Sequence, residues 1–282
     1  MTMKQNAFYR LALSLFAALT LFSNGGAAKE LIIIKSGNLK CNDTILVFTP
    51  QYDDRSDREP VATLFLLHGW SGCHSDWSNK YDLQQISNST GFRIICPDGF
   101  YNSWYLNDTD TTKMQWREFF HKELYPLIRE KYGIRPENTF ITGLSMGGHG
   151  AVNIFLDNID NFRACGSMSG VLNLQLSNLR DREIKKVVGE KIERYDSESA
   201  VTRIVPVARR LKEENKPIIV SCGYQDTYSG CAEEFSAKCR ELQIPHILLL
   251  SPGNHSWKYW GFALREHIAL FTKILSEENL GY

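Results

Sequence analysis

The chain has no charge imbalance: 32 Lys and Arg stand against 32 Asp and Glu over 282 residues. A polyanion binder needs a surplus of cations, so nucleic acid is not an expected partner. It also lacks any C-x-x-C pair. The seven cysteines, at 41, 73, 96, 165, 222, 231 and 239, are scattered, which argues against a zinc knuckle; neither a metal nor a cofactor is expected. Cys96 and Cys222 lie in apolar runs and read as small buried hydrophobes. Cys231 and Cys239 invite pairing on paper, but eight residues of helix span about 12 Å, too far for a bridge if that segment is helical. The apolar stretch "LALSLFAALTLF", Leu11 to Phe22, is 12 residues long, short of the ~20 that cross a bilayer. No internal repeat, low-complexity tract or linker interrupts the rest.

That short apolar stretch has a different use. Lys4 and Arg10 precede it and "SNGGAA" follows, the pattern of a secretory signal peptide over residues 1–28, cleaved after Ala28 or nearby. The expected location is secreted or periplasmic, with no membrane span once the signal is removed. The mature chain then carries 30 basic and 32 acidic residues. Its length suits one large α/β domain over 29–282. Four N-x-S/T sequons occur, at Asn42, Asn88, Asn107 and Asn254.

Short β-rich runs alternate with helical patterns. "LIIIKS" (31–36) and "TILVFT" (44–49) read as an antiparallel pair at the N-terminal edge. "VATLFLL" and "FRIIC" are nearly continuous apolar runs, as in strands covered on both faces; "TFITG", "KPIIVSCG" and "HILLLS" read as further strands, and "FRACGSMSG" begins as a strand and ends in a loop. Between them lie helical segments, including 118–132 and 257–275. The polar stretch around 175–215 reads as a small, mostly helical insertion, part of a lid or an edge. The expected fold class is α/β, a mostly parallel central sheet with helices on both faces.

"TGLSMGGHGA" places Ser145 between Gly143 and Gly147, immediately after a predicted strand and at the start of a predicted helix. A strained strand-to-helix elbow of this kind lifts a serine hydroxyl above a sheet, with the helix N-terminus close by. The bland alternative is a glycine-rich turn. The later "GSMSG" is offset from this pattern, and its Ser167 and Ser169 read as parts of a structural turn. A serine nucleophile needs a base and the base an orienting acid. His255, in the loop between the last strand and last helix, is the base candidate. His149 lies in the elbow helix, His246 enters a strand and His267 lies inside the last helix. Asp226, three residues past a strand end, is the preferred acid, with Asp196 and Glu198 as rivals. "LLHGWSG" (66–72) supplies a second turn whose Trp70 N–H, with the Met146 N–H, would complete an oxyanion hole; His68 before the turn glycine reads as a structural hydrogen-bonder.

Taken together, "LFLLHGWSGCHSDW", "IICPDGFYNSWY", "TFITGLSMGGHGAVNIFL", "FRACGSMSGVLNL", "CGYQDTY" and "GNHSWKYW" resemble the esterase D branch of the α/β-hydrolases. That branch embraces tributyrin-type esterases, S-formylglutathione hydrolases, feruloyl and acetylxylan esterases and mycolyltransferases. The resemblance covers nearly all of the mature chain. It implies the α/β-hydrolase fold and serine carboxylesterase activity. It also implies Ser145, Asp226 and His255 as the triad, with the Trp70 and Met146 amides as the hole. Substrate-contact candidates are Trp104, Tyr105 and Trp257, in segments whose aromatic faces suit sugar or acyl groups. An exported member is expected to cleave short acyl or feruloyl esters, carbohydrate-linked ones among them. Acyl transfer to an alcohol and thioester hydrolysis are the alternatives, and a binding module that has lost catalysis is the least favoured.

Overall fold

Alternation of side chains along the central strands decides the architecture. The computed structural model describes residues 29–52, 58–175 and 184–276. The expected signal segment, and 176–183 of the expected insertion, lie outside the described residues. Strands β1 (Lys29–Lys35) and β2 (Asn42–Phe48) pair antiparallel, with Ile32 opposite Ile45. Then follow β3 (Ala62–Leu67), β4 (Phe92–Cys96), β5 (Thr139–Gly143), β6 (Ala164–Met168), β7 (Ile218–Gly223) and β8 (His246–Ser251). They form one eight-stranded sheet in the order β1-β2-β4-β3-β5-β6-β7-β8. β2 joins β4 antiparallel, and every pairing from β4 to β8 is parallel. Parallel neighbours need crossovers, and the helices between strands supply them.

The helices are α1 (Asp76–Lys80), α2 (Leu83–Thr90), α3 (Trp116–Phe119), α4 (Tyr125–Tyr132), α5 (Met146–Asp157), α6 (Lys185–Val188), α7 (Ile192–Ser197), α8 (Ala200–Arg203), α9 (Ala208–Glu213), α10 (Ser229–Glu241) and α11 (Trp257–Leu275). On β3, Phe65 and Leu67 face one layer with Phe119, Phe120, Ile154 and Phe235, while Leu64 and Leu66 face the other with Leu83, Leu264 and Phe271. Because successive strand residues point to opposite faces, a run apolar at every position must be covered twice. Phe140 and Phe271 stack across the second layer at 4.6 Å. Burying a ring of that size stabilises by about 1.5–3 kcal/mol.

One expectation needs correction. Residues 118–132 are not one α-helix. A π turn, Phe120–Leu124, separates α3 from α4, and the Tyr125 N–H reaches back five residues to the Phe120 C=O. Pro126 follows at once and has no N–H to close the ordinary bond, so the ladder widens there. The described part of the 175–215 stretch is a set of short helices, with α8 packed against α5 and α10. Arg117 ties it down, bonding Asp157 of α5 and Glu198 beside α7, while Arg203 of α8 also bonds Asp157.

Candidate active site

β5 ends at Gly143, and only Leu144 and Ser145 separate it from α5. Ser145 makes the turn with φ 51° and ψ −114°, a strained backbone for an L residue. Close approach explains its flanking glycines. A Cβ on Gly143 would lie 2.5 Å from the Gly147 carbonyl oxygen, and one on Gly147 would lie 2.4 Å from the His68 carbonyl oxygen. Larger residues would force the elbow off the sheet and away from the 68–70 turn.

Ser145 Oγ lies 2.9 Å from His255 Nε2. His255 Nδ1 lies 2.9 Å from Asp226 Oδ2 and 3.1 Å from Oδ1. An ionised carboxylate only accepts, so Nδ1 donates to it and Nε2 is left to accept the serine proton. Ser145, Asp226 and His255 follow β5, β7 and β8, so the parallel order of the sheet gathers them at its C-terminal edge. Two bonds lock the acid and histidine loops together. The Gln225 N–H donates to the Gly253 C=O at 2.9 Å, and the Gly253 N–H donates to Gln225 Oε1 at 2.8 Å. The imidazole is held edge-on between Tyr228 and Trp260, at 5.1 and 4.9 Å.

Asp226 is only 4% exposed. Burial pushes its carboxyl up, but the His255 N–H, the Tyr228 N–H at 2.9 Å and the Ser169 hydroxyl outweigh it and hold it below the ordinary range. Ser169 is therefore more than part of a structural turn. It follows β6, between the strands that carry Ser145 and Asp226, and repeats the elbow's positive φ at 51°. Strand order would have revealed it, and strand order is not written in a local pattern.

The rival groups stand elsewhere. His149 is buried beside the elbow, its Nδ1 3.2 Å from the Val171 C=O, and burial pushes its pKa down to about 3. His246 bonds the Ile244 C=O and Ser236 Oγ, each at 2.9 Å. Asp196 accepts from Gln175 and Thr202, and Glu198 from Arg117. Met146 opens α5 directly after Ser145, and Trp70 follows Gly69, where a Cβ would lie 2.4 Å from the Leu144 side chain of the elbow. Among the described residues neither backbone N–H meets an acceptor.

The aromatic candidates divide. Tyr105 has no exposed surface; its ring is edge-on to Trp116 at 4.6 Å and its hydroxyl donates to the His68 C=O at 2.9 Å. Trp104 is 5% exposed and packs edge-on to His149. Burial moves both from expected substrate contacts to supports of the loop, where each residue takes a positive φ. Trp257 is half-buried, edge-on to Trp77 and Trp260 at 5.2 and 5.3 Å. The exposed aromatic pair near the turn is instead Trp70 with Tyr101, 5.1 Å apart. All seven cysteines are free thiols. Among the described residues, no cluster of His, Cys, Asp or Glu is arranged to hold a metal ion, and no helix is long and apolar enough to cross a membrane.

The Esterase family model matches residues 36–271. An acetyl esterase of Caldicellulosiruptor saccharolyticus is 26% identical over 254 residues, spanning 84% of this chain and 95% of that protein. An S-formylglutathione hydrolase of Arabidopsis thaliana is 23% identical over 264 residues, spanning 85% and 91%. In fold, the chain is similar to a ferulic acid esterase with a TM-score of 0.74, at 23% identity over 86% of this chain and 96% of that one.

Proposed function

The chain belongs to the Esterase family, within the esterase D branch of the α/β-hydrolases, and from that premise we propose how this serine carboxylesterase works and on what. Ser145 is the nucleophile, His255 the general base and acid, and Asp226 the group that fixes the histidine's tautomer and stabilises its cation. His255 takes the Ser145 proton as Oγ attacks the ester carbonyl. The Trp70 and Met146 N–H groups receive the developing oxyanion. His255 then protonates the leaving alcohol. Water, deprotonated by the same imidazole, cleaves the acyl-enzyme and restores Ser145. The observation that carries this reading is the unbroken pair of 2.9 Å contacts from Asp226 through His255 to Ser145.

The substrates in this reading are short acyl or feruloyl esters, carbohydrate-linked ones among them, met outside the cytoplasm after removal of residues 1–28. The likeness to an acetyl esterase supports the short acyl group, and the apolar N-terminal stretch supports export. Similarity to an S-formylglutathione hydrolase makes thioester hydrolysis the second reading. Replacing Ser145 with Ala is expected to remove p-nitrophenyl acetate and butyrate hydrolysis, by about 10⁴–10⁶-fold, with the melting transition retained. Undiminished turnover would overturn the mechanism. The wild-type enzyme is expected to prefer acetyl and butyryl esters and acetylated xylan to S-formylglutathione; the reverse order would favour the thioesterase.

A further inference from the structure

Two backbone N–H groups must point at one oxygen, and a peptide plane can turn unless its carbonyl is held. In a trans peptide the C=O of one residue and the N–H of the next are antiparallel, so whatever captures the carbonyl aims the amide. For the Ser145–Met146 peptide the captor is the helix itself, since the Ser145 C=O accepts from the His149 N–H at 3.1 Å. The Gly69–Trp70 peptide has no helix to do this. Its carbonyl accepts from the Gly72 N–H at 3.2 Å, across a turn in which Ser71 takes φ 62°, and from His68 Nδ1 at 2.7 Å.

His68 is 1% exposed and its ring is held from both ends. Nε2 accepts the Gly99 N–H at 2.7 Å, with Asp98 Oδ1 farther off at 3.6 Å, which leaves Nδ1 to carry the proton toward the Gly69 carbonyl. The Gly99 loop is anchored in turn: the Asp98 N–H donates to buried Asp43 Oδ1 at 3.2 Å, and the Asp98 carboxylate accepts from the Phe100 N–H at 2.7 Å and lies 2.9 Å from His74 Nδ1. A rigid, fully bonded donor therefore sits behind the one hole peptide that lacks helical support.

We propose that His68 is a positioning residue for the oxyanion hole, its Nδ1–H holding the Gly69 carbonyl so that the Trp70 N–H faces the Ser145 acyl centre. This rests on the roles given above to Ser145, Trp70 and Met146. His68 touches no reacting atom; it acts through the Gly69–Trp70 peptide. Because the Gly72 N–H remains as a second captor, losing the His68 donor loosens the hole without abolishing it. The expected cost is about 10- to 100-fold in kcat, less than the loss of a hole donor outright.

The test uses two substitutions that split the two ends of the ring. His68→Asn keeps an N–H where Nδ1 stands and gives up the acceptor for Gly99. His68→Gln keeps an amide oxygen where Nε2 stands and gives up the donor to Gly69. Steady-state kinetics on p-nitrophenyl acetate and thermal midpoints are compared with wild type and Ser145→Ala. Both variants should melt a similar few degrees lower, with KM within about twofold. The kcat should fall about 10- to 100-fold for Gln and less than about fivefold for Asn. Equal kcat losses in the two variants, or a Gln variant at wild-type kcat, overturn the His68 role, while an inactive Ser145→Ala protein leaves the active-site reading intact. A Ser145→Ala protein with full turnover overturns both. In the wild-type protein, nitrogen NMR of isotope-labelled histidine gives a reading that needs no variant to fold. A neutral Nδ1–H tautomer supports the role and an Nε2–H tautomer overturns it.

Discussion

His255 and His267 each bridge two side chains at hydrogen-bond distance, and in both cases one partner is a serine. His255 lies 2.9 Å from Ser145 Oγ and 2.9 Å from Asp226 Oδ2. His267 lies 2.9 Å from Ser221 Oγ and 2.9 Å from Thr142 Oγ1. The distances do not separate them; the partners and the surroundings do. His255 faces a carboxylate that can stabilise an imidazolium, stands in a loop at the sheet's C-terminal edge, and bonds a serine on a strained elbow. His267 faces only hydroxyls, is fully buried under the sheet, and has its pKa pushed down by burial to about 3. A histidine that cannot hold a proton near neutrality cannot act as a base there. A Ser-His pair thus becomes chemical machinery only when a buried anion flanks it and the pair stands at the C-terminal edge of the sheet.

The largest effect expected from breaking this contrast comes at Asp226. Asp226→Asn removes the charge while keeping the shape, and should lower kcat by about 10³–10⁴-fold through the wrong tautomer and an unsupported cation. A change of less than tenfold in p-nitrophenyl butyrate hydrolysis would place the acid elsewhere.

The corresponding change at His267 should act on stability. His267→Gln is expected to leave kcat within about threefold and to lower the midpoint by several degrees, from about 1–3 kcal/mol of lost buried bonding. It should also alter the pH response. With native values near 3 for His267 and His149, below the ordinary 6.5, the unfolded chain binds these protons first as pH falls. Their contribution is therefore complete above about pH 6.5 and is lost between there and about pH 3. The slope reaches about 1.4 kcal/mol per pH unit for each histidine. Midpoints measured from pH 7 to 4 should fall less steeply in His267→Gln than in wild type. An unchanged slope together with a large kcat loss would reverse the assignment of the two histidines.

The smallest effect is expected at the rim. Trp70→Ala leaves the backbone amide in place and removes only a ring, so KM should rise about three- to tenfold with kcat within about twofold. A large kcat loss with unchanged KM would mean that the exposed ring steers the turn rather than the substrate.

Much of this was legible in the residues. "FRIIC", "TFITG" and "HILLLS" are strands to the residue: the first two lie buried inside the sheet, where strands run largely apolar, and the third is the half-buried edge strand. Ser145, Asp226 and His255 could be found because each follows a strand, and strand ends in a parallel sheet share one edge. What was hidden depended on neighbours in space. Ser169 meets Asp226 only because β6 lies beside β7. Trp104 and Tyr105 look like surface aromatics in a polar loop, but they pack inward against His149, Trp116 and His68. The π turn at Phe120–Leu124 interrupts an apolar stripe whose period hardly changes, so the sequence carries no mark of it beyond Pro126.

The identity of the nucleophile is tested most directly by mapping a covalent adduct. The wild-type protein treated with an alkyl fluorophosphonate, digested and read by mass spectrometry, should carry the phosphonyl group on Ser145, and Ser145→Ala should carry none. An adduct on another residue, or equal labelling of Ser145→Ala, would contradict the account.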